Sequence, residues 1–225
     1  MPDLDAALAR LCDPAAGVSA HYLIDEAGET FRLVDEAERA WHAGVGCWQG
    51  ASDINARSIG IELVNPGHEF GYRRFPAAQM AALENLLLAV LERHGIAKSR
   101  VLGHSDVAPL RKTDPGELFD WARLARLGIG LWPDAGFKPD LAADAMNPGE
   151  RGARIALLQQ GLQNIGYCLG ETGVDAGVFD GFYDVGAEAV VRAFQRHFRQ
   201  HLVDGIADAE TASLILHLGA LARFS

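Results

Sequence analysis

Between Trp132 and Arg151 the chain loses the periodic patterns that it carries on either side. Pro133, Pro139 and Pro148 fall there, with Gly136 and Gly149 among them. Proline has no backbone donor and turns the residue before it away from helix, so no long element runs through this passage. It reads as a linker over 133–150. The 225 residues therefore divide into a larger domain over 1–132 and a small one over 151–222, within the range a chain of this length can pack as two cores.

The first part mixes strand and helix signals. Leu4, Ala7, Leu8 and Leu11 recur at helical spacing, so Asp3 to Cys12 is predicted as a short amphipathic helix ended by Asp13-Pro14. Strands are predicted over 18–25 and 30–34 around a turn at Glu26-Ala27-Gly28-Glu29, and over 57–65. Phe75-Pro76 opens the longest helix, with Met80, Leu83, Leu87, Val90 and Leu91 on one face and Gly95 past its end. Residues 96–102 read as a passage into a further short strand, with His104 at its end. A helix over 119–127 is expected to lay Trp121 and Leu124 on the sheet. After the linker the pattern is helical. Ile155, Leu158, Leu162 and Ile165 mark one helix, and Ala189, Val190, Ala193, Phe194 and Phe198 a second. Leu214, Leu216 and Leu218 mark a third, with a Gly- and Asp-rich turn at 175–184 between the first two. The expected fold class is α/β, a mixed central sheet flanked by helices, plus a small three-helix domain.

Composition narrows the partners. A formal charge of −10 argues against nucleic acid, whose phosphates are bound by Lys and Arg. No apolar run is long enough to predict a transmembrane segment. Cys12, Cys47 and Cys168 form no CxxC and are not read as a disulfide framework or a cysteine metal site, which leaves the compartment open. The acidic turn near Asp180 lacks the spacing of a calcium loop. Ser105 has no nucleophile elbow around it.

The chemistry concentrates in Gly103-His104-Ser105-Asp106-Val107-Ala108-Pro109-Leu110-Arg111-Lys112-Thr113-Asp114-Pro115-Gly116. An imidazole, an ammonium and a carboxylate sit close together in a loop stiffened by two prolines, and His nitrogen with carboxylate oxygen suits zinc. Asp114-Pro115-Gly116-Glu117 fits a helix start equally well, with Asp as N-cap and Pro at the first helical position. Glu62 interrupts a run of Ile, Ile, Leu and Val that reads as buried. Such a carboxylate faces solvent at a strand end or serves as a base in a cleft.

The stretch from Gly103 to Gly116 resembles the C-terminal signature of the zinc-dependent N-acetylmuramoyl-L-alanine amidases, a family related to phage amidase-lysozymes and peptidoglycan recognition proteins. Ser58-Ile59-Gly60-Ile61-Glu62, Trp41-His42-Ala43-Gly44 and Val18-Ser19-Ala20-His21-Tyr22 match the same family in order. The resemblance implies zinc (Zn2+) on His104 and Asp114, Glu62 as catalytic base and Lys112 as transition-state aid. It places His21, Trp41 and His42 along the substrate cleft. It also implies a third zinc ligand, a His on an opening strand that would precede Met1. The printed sequence starts past that point, and Met1 is read as internal to a longer natural protein. Residues 151–222 resemble the three-helix peptidoglycan-binding module through Leu158-Gln159, Gly166-Tyr167, Phe194-Gln195 and Asp204-Gly205-Ile206-Ala207-Asp208. The expected function is cleavage of the amide between N-acetylmuramic acid and L-alanine, with peptidoglycan or muropeptides as partners and the cell envelope as site of action. The alternative is a non-catalytic protein that binds peptidoglycan fragments.

Overall fold

A computed structural model describes residues 3–170 and 180–224. Residues 175–179 of the Gly- and Asp-rich turn expected at 175–184 lie outside them. The chain forms two compact units. The first holds Met1–Gly44, Asp53–Ala97 and Leu118–Asp120; the second holds Val45–Ser52, Lys98–Glu117 and Trp121–Ser225.

In the first unit, helix α1 (Leu4–Cys12) starts at Asp3, whose carboxylate accepts from the Ala6 N–H at 2.8 Å. Strands β1 (Tyr22–Ile24), β2 (Thr30–Arg32) and β3 (Ile61–Leu63) form one sheet in the order β2-β1-β3. β1 pairs antiparallel with β2 and parallel with β3, so the sheet is mixed as expected. The strands are shorter than the sequence suggested, and β3 is half-buried along its length. The central strand β1 is buried throughout, whereas β2 alternates as an edge does. Ala7, Leu11, Ala20, Leu23 and Val64 close one core between α1 and the sheet. Helix α2 (Ala77–His94) ends at Gly95 in the left-handed region, φ 61°, where glycine avoids the Cβ penalty. From its first turn the buried Gln79 amide donates to Ile24 O and Val64 O, both at 3.0 Å, linking the ends of two strands to the helix.

The second unit gathers its apolar side chains on helices α5 (Ala153–Ile165), α6 (Val185–Phe198) and α7 (Ala209–Leu221). Two shorter helices precede them in the chain, α3 (His104–Val107) and α4 (Trp121–Ala125). Asp184 and Asp208 cap α6 and α7 by accepting from Ala187 N at 2.7 Å and Thr211 N at 2.9 Å. No helix or strand occurs between α4 and α5, yet Trp132 and Phe137 pack on the three-helix core and Met146 pairs with Ala207.

Three expectations need correction. Residues 96–102 contain a 3-10 turn at Lys98–Arg100 and no strand, so His104 opens a helical turn instead of ending a strand. Trp121, expected over the sheet, stacks its ring on the His197 imidazole at 3.7 Å between centroids. Cys47 and Cys168 form a disulfide with Cα atoms 5.9 Å apart, a pairing across 121 residues that no spacing motif announced. Cys12 is the free, exposed thiol.

Candidate active site

The loop from Gly103 to Gly116 is closed by its own backbone. Ser105 N donates to Asp114 O at 2.8 Å, and Arg111 N and Lys112 N both donate to Ala108 O, at 3.0 and 2.9 Å. The alternative helix start at Asp114 is not taken. The Asp114–Pro115 peptide is cis and the following residues form turns. Folding the loop back in this way brings His104 Nδ1 within 3.0 Å of Asp114 Oδ2. The Asp114 side chain is 58% exposed and that of His104 only 16%. Desolvation pushes the Asp114 pKa up, but the hydrogen bond from His104 and the charges of His104 and Lys112 outweigh it and hold the carboxyl below its ordinary value. The carboxylate form, the one able to ligate a metal, is thus favoured by its neighbours.

A nitrogen and an oxygen donor on a closed loop suit zinc, which takes three protein ligands in catalytic sites. Among the described residues no group of three His, Cys, Asp or Glu side chains comes together. His104 Nδ1 and Asp114 Oδ2 are the two donors that the loop itself brings to one point, of the nitrogen and oxygen types that zinc takes. Asp106, two residues on, faces the interior at 1% exposure and accepts from Gly103 N at 2.7 Å. The sequence offered it inside the motif but gave no reason to assign it a role.

The remaining candidates lie in the first unit. His21 is 1% exposed and both its ring nitrogens face backbone groups. Nδ1 accepts from Gly60 N at 2.9 Å, which leaves the proton on Nε2, 3.1 Å from Glu38 O. An imidazole held on both sides is a structural pin between β1 and the approach to β3. Its edge meets the His42 ring, centroids 5.7 Å apart. Ser58 donates to Ile54 O at 2.6 Å, so its oxygen can accept from His42 Nε2, 3.4 Å away. The His42 ring lies over Gly60 so closely that a Cβ there would stand 2.3 Å from its nearest ring atom. Gly60 is therefore required by packing between Ile59 and Ile61. His42 N and Ala43 N both donate to Asn55 Oδ1, at 3.0 and 2.8 Å, fixing this segment's backbone.

Trp41 is 53% exposed, with the Arg39 guanidinium 4.1 Å above its ring. Asp53 holds that guanidinium through two hydrogen bonds of 3.0 and 2.6 Å. One face of the exposed ring is thus covered by a guanidinium that is itself held in place. Glu62 is the middle residue of β3, paired in register with Leu23 and half-buried. The structure thus brings His104, Lys112 and Asp114 together in the second unit. It groups His21 and His42 around Gly60 in the first, with Glu62 two residues further along the same segment.

Comparison with known proteins bears on both units. The N-acetylmuramoyl-L-alanine amidase family matches residues 1–117. A peptidoglycan binding domain family matches residues 151–215. The N-acetylmuramoyl-L-alanine amidase AmiD of Escherichia coli (strain K12) is 37% identical over 239 residues, covering 94% of this chain and 76% of that protein. The structure of E. coli AmiD with the substrate anhydro-N-acetylmuramic acid-L-Ala-D-gamma-Glu-L-Lys superposes with a TM-score of 0.79 at 35% identity, over 99% of this chain and 86% of that one. AmpDh3 from Pseudomonas aeruginosa, in complex with anhydromuramic pentapeptide, superposes with a TM-score of 0.76 at 31% identity, over 97% and 88% of the two chains.

Proposed function

We propose, because this chain belongs to the N-acetylmuramoyl-L-alanine amidase family, that it hydrolyses the amide joining N-acetylmuramic acid to the L-alanine of a peptidoglycan stem peptide. The observation that carries the reading is the His104–Asp114 pair, 3.0 Å apart on the closed loop that the family match includes. His104 and Asp114 would hold zinc, which when bound polarises the scissile carbonyl and lowers the pKa of a water to about 7.

The chain's own side chains do the rest. Glu62 is assigned the base that takes the proton of the attacking water and returns it to the leaving amide nitrogen. Lys112, whose charge is felt at Asp114, is assigned the oxygen that turns anionic as the tetrahedral centre forms. Trp41 and His42 are assigned to the wall against which the muropeptide packs. His21 is assigned the same cleft as a support for Gly60 and, through it, for His42.

Residues 1–132 are read as the catalytic domain, 133–150 as a connecting segment and 151–222 as a wall-binding domain that raises the local concentration of substrate. The Cys47–Cys168 disulfide supports an oxidising compartment, and hence the cell envelope over the cytoplasm. Among the described residues no helix is long and apolar enough to cross a membrane.

The test is turnover of anhydro-N-acetylmuramic acid-L-Ala-D-gamma-Glu-L-Lys by the zinc-loaded protein, followed by mass spectrometry. The free sugar acid and the tripeptide are the expected products. Glu62→Gln is expected to reduce kcat by about 100-fold or more, the scale of a lost general base. Binding of the muropeptide without cleavage would overturn the enzymatic reading.

A further inference from the structure

Asp106 lies in the helical turn that begins with His104, and three donors converge on its buried carboxylate. Gly103 N reaches Oδ2 at 2.7 Å, the Tyr167 hydroxyl reaches Oδ1 at 2.7 Å, and His197 Nδ1 stands 2.8 Å from Oδ2. Tyr167 and His197 are themselves 1% and 3% exposed. The His197 ring is stacked between Trp121, 3.7 Å away at 14°, and Phe198, 4.1 Å away at 10°, so it has no room to turn from Asp106. Burial and the adjacent carboxylate push the Tyr167 phenol well above its ordinary pKa, which keeps its proton in place as a donor.

These partners come from different parts of the chain. Asp106 lies in the stretch matched by the amidase family, whereas Tyr167 and His197 lie in the stretch matched by the peptidoglycan binding domain family. All three belong to one compact unit. The residue after Tyr167 is Cys168, bonded to Cys47, and Cys47 N donates at 2.8 Å to the carbonyl of Val107, the neighbour of Asp106. The same turn is therefore held twice, by hydrogen bonds on a carboxylate and by a covalent bridge beside it.

A buried carboxylate is tolerable only while its lone pairs are satisfied. If a donor is removed, the readiest relief is for the turn to open and place Asp106 in water. His104 would move with it. So would Asp114, through the Ser105 N to Asp114 O bond. We propose that Tyr167 and His197 are positioning residues for the amidase reaction, holding the His104–Asp114 loop in register through Asp106. The C-terminal module is then part of the active-site scaffold as well as a tether. This rests on the site assignment above.

The test uses the full chain with Tyr167→Phe, His197→Phe and His197→Asn. The two Phe variants remove a donor and keep a ring; Asn keeps an N–H near the Nδ1 position. Leu214→Ala, in the core of the module and not among the donors to Asp106, serves as a control for general destabilisation. Hydrogen exchange of metal-free protein over residues 103–107 is read beside kcat and KM on the muropeptide. Both Phe variants are expected to speed exchange there by about tenfold or more, as loss of a hydrogen bond to a charged group does. They are also expected to lower kcat with KM within about twofold, since binding contacts are untouched. His197→Asn is expected to recover much of both.

Wild-type exchange and kcat in Tyr167→Phe would overturn the proposal. So would the same changes in Leu214→Ala, or an Asn variant no better than His197→Phe. A wild-type protein that does not cleave the muropeptide would count against the proposed function alone, because exchange in the metal-free protein still decides whether Tyr167 and His197 hold the turn.

Discussion

Glu36 shows how a single carboxylate is tuned without being catalytic. Its side chain is 8% exposed and accepts from the Tyr22 hydroxyl at 2.5 Å, from Arg93, and from His94 at 2.7 Å. Desolvation raises its pKa, but the hydrogen bonds from Arg93, Tyr22 and His94 and the Arg93 charge win, and the value falls from 4.5 to about 2. Because the folded-state value lies below the unfolded one, the stabilisation is complete above about pH 4.5 and is lost as pH falls toward 2. Glu36→Gln is therefore expected to flatten the acid limb of the stability profile across that window, measured by urea unfolding at stepped pH. An unchanged acid limb would mean that another carboxylate dominates it. The Glu36 cluster and the Asp106 hub use the same device, a buried carboxylate saturated with donors. Only Asp106 is joined by backbone to the His104–Asp114 pair.

At the scale of elements, helices α5 and α7 meet where neither has a side chain. A Cβ on Gly219 would stand 2.7 Å from the Gly161 carbonyl oxygen and 2.9 Å from its Cα, both backbone atoms. Alanine is better than glycine in a helix by about 1 kcal/mol. The clash decides the sign, because the helices must separate to admit the methyl and give up packing of Leu158, Leu162, Ile215 and Leu218. Gly219→Ala is expected to lose about 1–3 kcal/mol net, read as a lower urea midpoint with unchanged slope. A raised midpoint would show that propensity outweighs packing there. The loop from Gly103 to Gly116 is the opposite kind of element. It has little regular structure, and its order comes from backbone bonds to itself and from the groups gathered on Asp106.

For the whole molecule, the Cys47–Cys168 bridge closes a loop of 121 residues. Constraining an unfolded chain of that length is worth about 4–5 kcal/mol in the chain-entropy account, with engineered cases returning less. Reduction, or the Cys47→Ser and Cys168→Ser pair, is expected to destabilise the protein by about 2–5 kcal/mol. A stability unaffected by reductant would mean that the bridge adds nothing that packing has not already supplied. The bridge ties a segment between β2 and β3 to the end of α5, which no local element could do.

Much of the local structure was legible in the amino-acid sequence, although the strand expected over 96–102 did not form. Helix α1 with its Asp3 cap, helix α2 with its Gly95 stop, and the three helices after the linker follow from apolar period and end chemistry, which act over single turns. The meeting of His104 with Asp114 is nearly as local, across ten residues of a loop that prolines restrict. Residue chemistry alone left a structural reading open there, and their roles were inferred from the family resemblance of the motif. The tertiary structure decided the pairings that cross the chain. Tyr167 meets Asp106 across 61 residues, His197 meets it across 91, and Cys47 meets Cys168 across 121. No periodicity encodes such separations, because which distant groups meet depends on how the helices and loops pack, and only the folded chain supplies that geometry.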